Sequence, residues 1–210
     1  MKHILYSYRR CPYAMRARCA LIYANIDFEI REIELRAKPL SMQKISPKAT
    51  VPVLLTNQQQ VIDQSLEIMN WALAQHDPEH WLFEKGTANH HITHEWIGIN
   101  DGPFKQLLDQ YKYPNRYPEQ SHEQVLESSL KMYLLPLNDR LKYQKFLIGD
   151  QISMLDIALF PFVRQFMGVD SKKFHQLPLK ELSEWLNFLI LSDLFNKVMA
   201  KYPIWRDIEI

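Results

Sequence analysis

Glycine is scarce in this chain, with five in 210 residues. That excludes a Gly-rich phosphate loop, which needs several glycines in one short stretch. Cysteine is scarcer still. Cys11 and Cys19 are the only two, and a pair so spaced is no disulfide framework. The expectation is a reducing, cytoplasmic setting. No apolar run reaches the roughly 18 residues of a membrane span. The opening "MKHILYSYRRCP" has no apolar stretch ahead of its charges, so neither a signal peptide nor a membrane partner is expected. Charge of one sign is also missing. Lys and Arg number 25 against 24 Asp and Glu, for a net charge of +1. The basic residues are scattered, so no field draws nucleic acid. No internal repeat or low-complexity segment is present.

What is there suits a soluble globular protein, with 47% hydrophobic and 23% charged residues. The length allows one large or two small domains. "HILYS" (3–7) reads as a buried strand. "PYAMRARCALIYA" (12–24) reads as a helix opening on Pro12, with Met15, Cys19 and Ile22 on one face. "FEIREIEL" (28–35) is a second strand by composition. "KPLSMQKISPKA" (38–49), cut by two prolines, holds at most a short helix. "TVPVLLTNQQQVID" (50–63) reads as two strands joined by a polar turn, and "SLEIMNWALAQH" (65–76) as a helix. The order β-α-β-α-β-β-α predicts parallel pairing of the first two strands and antiparallel pairing of the last two.

After Asp77-Pro78 the strand signals stop. The rest reads as helices, with Pro103 and Pro136 as kinks or breaks. The helix over 153–167 has a marked start: Ser153 as N-cap, Asp156 at the capping-box position, and Ile152 with Ile157 as a hydrophobic staple. Phe162 and Phe166 on this helix are expected in the core. The expected division is an α/β domain over 1–76, a linker over 77–86, and an all-helical domain over 87–210.

Cys11 sits between the first strand and the first helix. Free N–H groups and the positive end of the helix macrodipole face that position. Arg9, Arg10 and Arg16 are nearby in sequence. Each favours thiolate, the reactive form. A free cysteine starts near a pKa of ~8.5, so a drop of about two units would leave it mostly ionised at neutral pH. The C-x-x-C partner position is Ala14, so Cys11 is a monothiol. It needs an external thiol to complete a redox cycle. Cys19, two turns on, is expected in the core.

Taken together, "CPYA" at a strand–helix turn, "TVPVL" before a hairpin, "DQSLEIMNWAL" after it and "GDQISMLDIALFPFVRQF" resemble the glutathione transferase superfamily. Within it they are most similar to its cysteine-type, omega-like and glutaredoxin-like branch. The resemblance covers both halves of the chain. It implies a thioredoxin-like N-terminal domain plus an all-α C-terminal domain lining a second-substrate pocket. It implies glutathione as cosubstrate, with no metal, and a homodimer. By the same resemblance Cys11 is catalytic, with Pro12 and Tyr13 beside it. Pro52 is the family's cis-proline, and Val51 meets the cysteinyl backbone of glutathione as an added strand. Gln64 and Ser65 hold the γ-glutamyl carboxylate at a helix start. Lys38 meets the glycyl end.

Many members of the family instead use a hydroxyl near the end of the first strand, and Tyr6, Ser7, Tyr8 and Tyr13 are the candidates here. The second-substrate pocket is expected to involve Trp96, Asn100 and Tyr111. His90 and His94, at i and i+4, read as a solvated helix face, since no third metal ligand is evident. The expected activity is glutathione-dependent thiol transfer or reduction, acting on mixed disulfides or small oxidised acceptors. The alternatives are conjugation of glutathione to electrophiles and a non-catalytic binding role.

Overall fold

The computed structural model describes residues 2–207. Strands β1 (His3–Ser7), β2 (Phe28–Glu32), β3 (Val53–Leu55) and β4 (Val61–Ile62) form one sheet in the order β2-β1-β3-β4. β1 and β2 run parallel, with Leu5 opposite Ile30. β3 is antiparallel to both β1 and β4, with Leu54 opposite Leu5 and Ile62. The parallel step needs a crossover, which α1 (Pro12–Tyr23) supplies. α2 (Leu40–Ile45) precedes β3, and α3 (Ser65–Gln75) packs beside α1. The pairing is the one expected from the order of elements, and the arrangement is the thioredoxin-like one that the resemblance implied. β1 matches its sequence signal, while the later strands are shorter than theirs. β2 ends at Glu32, because the chain turns back between Glu34 and Ala37.

α1 is buried on nearly every side. Met15 and Cys19 are in the core as expected, and so are Arg16 and Arg18. Ile22 is only half-buried.

The second part of the chain is helical. It contains α4 (Ala88–Ile99), α5 (Lys105–Lys112), α6 (His122–Ser129), α7 (Leu135–Leu141), α8 (Met154–Met167), α9 (Ser171–Phe174), α10 (Lys180–Ile190) and α11 (Asp193–Val198). The prolines expected as kinks or breaks do not end their helices. Pro103 lies inside a π-helical turn, Asn100–Phe104, that joins α4 to α5. A second π turn, Leu130–Leu134, runs into α7, which carries Pro136 in its first turn. A widened turn moves the hydrogen-bond ladder by one residue, so the missing proline N–H is absorbed without a break.

α8 has an apolar body, with Phe162 and Phe166 fully buried. Its start is tied down by Asp156. One carboxylate oxygen accepts the Leu147 N–H and the Trp185 indole N–H, each at 2.8 Å. The other accepts the Ser153 N–H at 2.9 Å and hydroxyl at 2.7 Å. Burial pushes the Asp156 carboxyl above its ordinary value, and these four hydrogen bonds oppose that.

Two compact units emerge. One comprises the chain up to Glu79 together with the described residues from Ser192 onward. The other is His80–Leu191. The division differs from the expected boundaries at both ends of the helical part. Trp81, in the expected linker, is buried in the helical unit, and its carbonyl accepts the Met154 N–H at 2.9 Å. At the other end, α11 packs on α1. The tail beyond it bonds to β2 through the Trp205 N–H and Glu32 carbonyl at 2.8 Å.

Candidate active site

A cleft of about 390 Å³ opens in the α/β unit. Its wall holds Cys11, Tyr13, Lys38, Val51, Pro52, Gln64 and Ser65. Seven of the eight residues expected around glutathione thus converge, from four separate stretches of sequence. The eighth, Pro12, is buried at the first position of α1 and fixes the helix start rather than lining the wall.

Cys11 is the N-cap of α1. The turn that presents it is closed by its own N–H donating to the Tyr8 carbonyl at 3.0 Å. Its sulfur lies 3.8 Å from the Val51 carbonyl, a long contact that holds a thiol proton weakly. Among the described residues no side-chain capping hydrogen bond forms at Cys11. The helix field therefore acts on the sulfur through space rather than through a capping bond.

Positive charge comes from a residue that the sequence did not single out. Arg18 is 1% exposed. It donates to the Ser7 hydroxyl and to the Arg9 carbonyl, each at 2.6 Å. The Arg9 N–H in turn donates to the Glu32 carboxylate at 2.7 Å. Arg18 and Glu32 thus clamp the turn carrying Cys11 from beneath. Burial lowers the guanidinium's pKa, and attraction to Cys19, Glu32 and Cys11 opposes that. Of the arginines expected near the sulfur, Arg10 is exposed and Arg16 is buried, 5.5 Å from the Tyr13 ring. No sequence signal marks Arg18, because a buried arginine interrupts the apolar pattern that identifies a core face.

The hydroxyl candidates separate cleanly. Tyr6 is 2% exposed, and its hydroxyl is bonded to Ser41 at 3.0 Å and to Arg31 at 2.8 Å. Ser7 is fully buried and accepts from Arg18. Tyr8 packs against the cluster of Tyr6, Ile33, Met42 and Val53. Only Tyr13, of the four, is on the cleft wall.

The opposite wall is backbone and a helix start. The Val51–Pro52 peptide is cis, as the resemblance implied. Among the described residues the Val51 N–H has no backbone partner, so an extended ligand chain can pair there. Gln64 is the N-cap of α3 and makes no side-chain cap, while Ser65 is 6% exposed at its first turn. The first N–H groups of α3 are therefore open to a carboxylate. Asp63 and Leu35 complete the wall. Burial raises the Asp63 carboxyl, but the Lys48 ammonium at 2.8 Å and the Ser46 hydroxyl, also at 2.8 Å, outweigh it and hold it below the usual range.

Cys19 is fully buried, and desolvation pushes its thiol up to about 12. It is inert, as expected.

The residues expected at a second-substrate pocket are placed differently. Asn100 is fully buried and accepts from the Tyr133 hydroxyl at 2.6 Å. Tyr111 is 2% exposed and stacked against His122 and Phe166, at 4.3 and 4.5 Å between ring centres. Both are core residues of the helical unit, Asn100 because its side chain satisfies the buried Tyr133 hydroxyl and Tyr111 because its ring stacks on Phe166 of α8. Trp96 is half-buried against Tyr133. The His90 and His94 rings are 4.3 Å apart, but among the described residues no third ligand joins them.

Comparison with known proteins gives a consistent result. Residues 5–80 match the glutathione S-transferase N-terminal domain, and residues 119–206 the C-terminal domain. Glutathione S-transferase DHAR3, chloroplastic, of Arabidopsis thaliana is 24% identical over 75% of this chain. The match spans 64% of that protein, so the chain spans less than two thirds of this plant relative's length. Maleylacetoacetate isomerase of Dictyostelium discoideum is 28% identical over 75% of this chain and 76% of its own. A glutathione transferase family member from Pseudomonas fluorescens, solved with two glutathione bound, has the same fold, with a TM-score of 0.79. It is 16% identical, over 94% of this chain and 92% of that one. Two domain matches that together span most of the sequence mean that this chain belongs to the glutathione transferase superfamily.

Proposed function

We propose that the chain is a glutathione-dependent thiol transferase or reductase of the cysteine-type branch, with Cys11 as nucleophile. The observation that carries this reading is the position of Cys11. It is the one thiol on a cleft whose other walls fit glutathione, while Tyr6 and Ser7 are buried and engaged elsewhere. Glutathione lies with its cysteinyl backbone along Val51. Its γ-glutamyl carboxylate meets Ser65 and the start of α3, and its glycyl carboxylate meets the Lys38 ammonium. That arrangement delivers the glutathione sulfur toward Cys11.

The chemistry is two thiol–disulfide exchanges. The Cys11 thiolate attacks the glutathione sulfur of a mixed disulfide. The Cys11–glutathione bond forms, and the substrate leaves as thiolate and takes a proton. A second glutathione thiolate then attacks the adduct, releasing oxidised glutathione and restoring Cys11. The buried Arg18 guanidinium favours the anionic sulfur in both resting and departing states. Mixed disulfides are the substrates of these two exchanges. With a small oxidised acceptor such as dehydroascorbate, the Cys11 thiolate first adds to a carbonyl carbon. A glutathione thiolate then attacks the Cys11 sulfur, breaking the carbon–sulfur bond, releasing the acceptor reduced by two electrons and leaving the same Cys11–glutathione disulfide. A cytoplasmic setting supplies the reduced glutathione that this cycle consumes, and a homodimer is the proposed assembly.

The test is intact mass after mixing with oxidised glutathione and then adding reduced glutathione, for wild type and Cys11→Ser. The expected result is one glutathione adduct, on Cys11, that reduced glutathione removes. No adduct, with conjugation of glutathione to an electrophile retained in Cys11→Ser, would overturn the reading. Tyr13 favours that rival, being the one candidate hydroxyl on the cleft wall. In that case Tyr13→Phe should abolish conjugation. Failure to bind glutathione at all would point to a non-catalytic role.

A further inference from the structure

The glutathione cleft depends on a segment at the far end of the chain. Leu35 and Lys38 reach the cleft wall from the loop between β2 and α2. Both ends of that loop are fastened to the tail. At one end the Trp205 N–H donates to the Glu32 carbonyl at 2.8 Å, and Ile204 bridges Glu32 as a parallel partner on the exposed edge of β2. At the other end Asp207 accepts the Ser41 N–H at 3.2 Å.

α2 needs such help. It has six residues, and its N-cap is Pro39, which makes no side-chain cap. A helix that short is marginal on its own, and its first N–H groups lack an acceptor. The Asp207 carboxylate fills the place of a capping side chain. Its carboxyl is held below the usual range by bonds from the Ser41 hydroxyl and from the Ser41 and Leu40 backbone, with burial opposing. The cap reaches Lys38 through α2, since the Lys38 carbonyl accepts from Gln43 on that helix at 2.9 Å. Trp205 seats the tail. Its ring lies 4.2 Å from the Arg31 guanidinium and edge-on to Tyr6. Arg31 and Ser41 meet at the Tyr6 hydroxyl, which closes the network.

We propose that Asp207, seated by Trp205, is a positioning residue for glutathione: it caps α2 and so holds Lys38 where the glycyl carboxylate binds. This rests on the glutathione reading of the cleft. Cys11, Val51 and Ser65 lie outside the loop, so the loop tunes affinity for the glycyl end and not the exchange chemistry. An apparent affinity falls in proportion to the fraction of molecules in the competent form. A loop ordered about a third to a tenth of the time would weaken glutathione binding ~3–10-fold.

The experiment is titration calorimetry of the full chain with glutathione and with γ-glutamylcysteine, which lacks the glycyl carboxylate. Wild type, Asp207→Ala and Asp207→Glu are compared, with amide hydrogen exchange followed over residues 39–43. The expected result is a Kd for glutathione raised about 3–10-fold in Asp207→Ala, with that for γ-glutamylcysteine nearly unchanged. Exchange over 39–43 quickens, kcat at saturating glutathione holds, and Asp207→Glu recovers most of the loss. Equal weakening of both ligands, or no weakening of either, overturns the positioning role. Unchanged exchange in Asp207→Ala overturns the cap. If wild type binds neither ligand, the glutathione reading itself has failed, and the proposal falls with it.

Discussion

Asp156→Ala should be among the most damaging single changes in the helical unit. The carboxylate accepts from four donors, and Leu147, Ser153 and Trp185, which supply them, are all at most 4% exposed. Truncation leaves those donors without an acceptor. A buried donor so orphaned costs ~1–3 kcal/mol, for a gross loss of ~4–12 kcal/mol. Two terms reduce it. The desolvation cost of the carboxylate disappears, and the vacated space can admit a bridging water. A net loss of about 3–5 kcal/mol remains, typical of breaking a buried network. Asp156→Asn should cost less, about 1–2 kcal/mol. Its amide oxygen can keep Leu147 and Trp185, and the Ser153 hydroxyl can turn to accept from the amide nitrogen. Only the Ser153 N–H is then orphaned.

The assay is urea denaturation, with hydrogen exchange at the Leu147 and Ser153 amides reporting on the helical unit. A loss under ~1 kcal/mol in Asp156→Ala, or equal losses in the two variants, would refute the four-bond reasoning. Acidity supplies a second check. Burial raises this carboxyl in the folded state, above an unfolded value of ~3.9. The folded chain therefore keeps the proton to higher pH than the unfolded chain does. The group's contribution is greatest below the unfolded value and is lost as pH rises through the folded one. The stability gap between wild type and Asp156→Asn should widen as pH is lowered from neutrality.

Native protein treated with iodoacetamide near pH 8 should take one label, on Cys11, and a second only after unfolding, because burial pushes the Cys19 thiol up to about 12. Ser65→Ala should raise the KM for glutathione about 10–100-fold with little change in kcat, the size of one hydrogen bond to a charged group; an unchanged KM would remove Ser65 from the site. Tyr6→Phe should leave thiol transfer within about two-fold of wild type while lowering stability by ~1–2 kcal/mol, because Arg31 and Ser41 lose a buried partner. A large loss of activity with stability intact would restore Tyr6 as a catalytic hydroxyl.

Elements whose signal is local were legible in the sequence. β1, α1 and α3 follow from apolar period and from Pro12 at a helix start. The capping box of α8 follows from Ser153 and Asp156. What the residues did not reveal depends on contacts between distant segments. Pro103 and Pro136 read as kinks or breaks because a π turn has no composition of its own. The α/β unit was drawn too short because the tail that completes it, around Trp205 and Asp207, carries no periodic pattern. Its partners, Glu32 and Ser41, lie far away in sequence. Asn100 and Tyr111 are expected at a pocket because the resembled fold puts their helix beside the cleft, and only the packing of Tyr133, His122 and Phe166 shows them to be core.

The choice between a thiol nucleophile and a hydroxyl that activates glutathione shows most plainly what packing adds. Four hydroxyls near the end of β1 are equivalent by sequence position. Packing uses up two of them. The Tyr6 hydroxyl is the meeting point of Arg31 and Ser41, and Ser7 receives a guanidinium N–H from Arg18. Ser7 cannot turn toward the cleft without stranding a donor of the buried Arg18, at a cost of ~1–3 kcal/mol, and Tyr6 cannot do so without giving up its bonds to Ser41 and the part-buried Arg31. The same Arg18 that occupies Ser7 also holds the Arg9 carbonyl and so shapes the turn that presents Cys11. One buried cation therefore withdraws a rival hydroxyl and supports the thiol. Arg18→Met tests the link: it should slow adduct formation on Cys11 and shift its pH dependence upward, while glutathione affinity at Val51 and Ser65 holds. A slower reaction with an unshifted pH profile would show that Arg18 only shapes the turn.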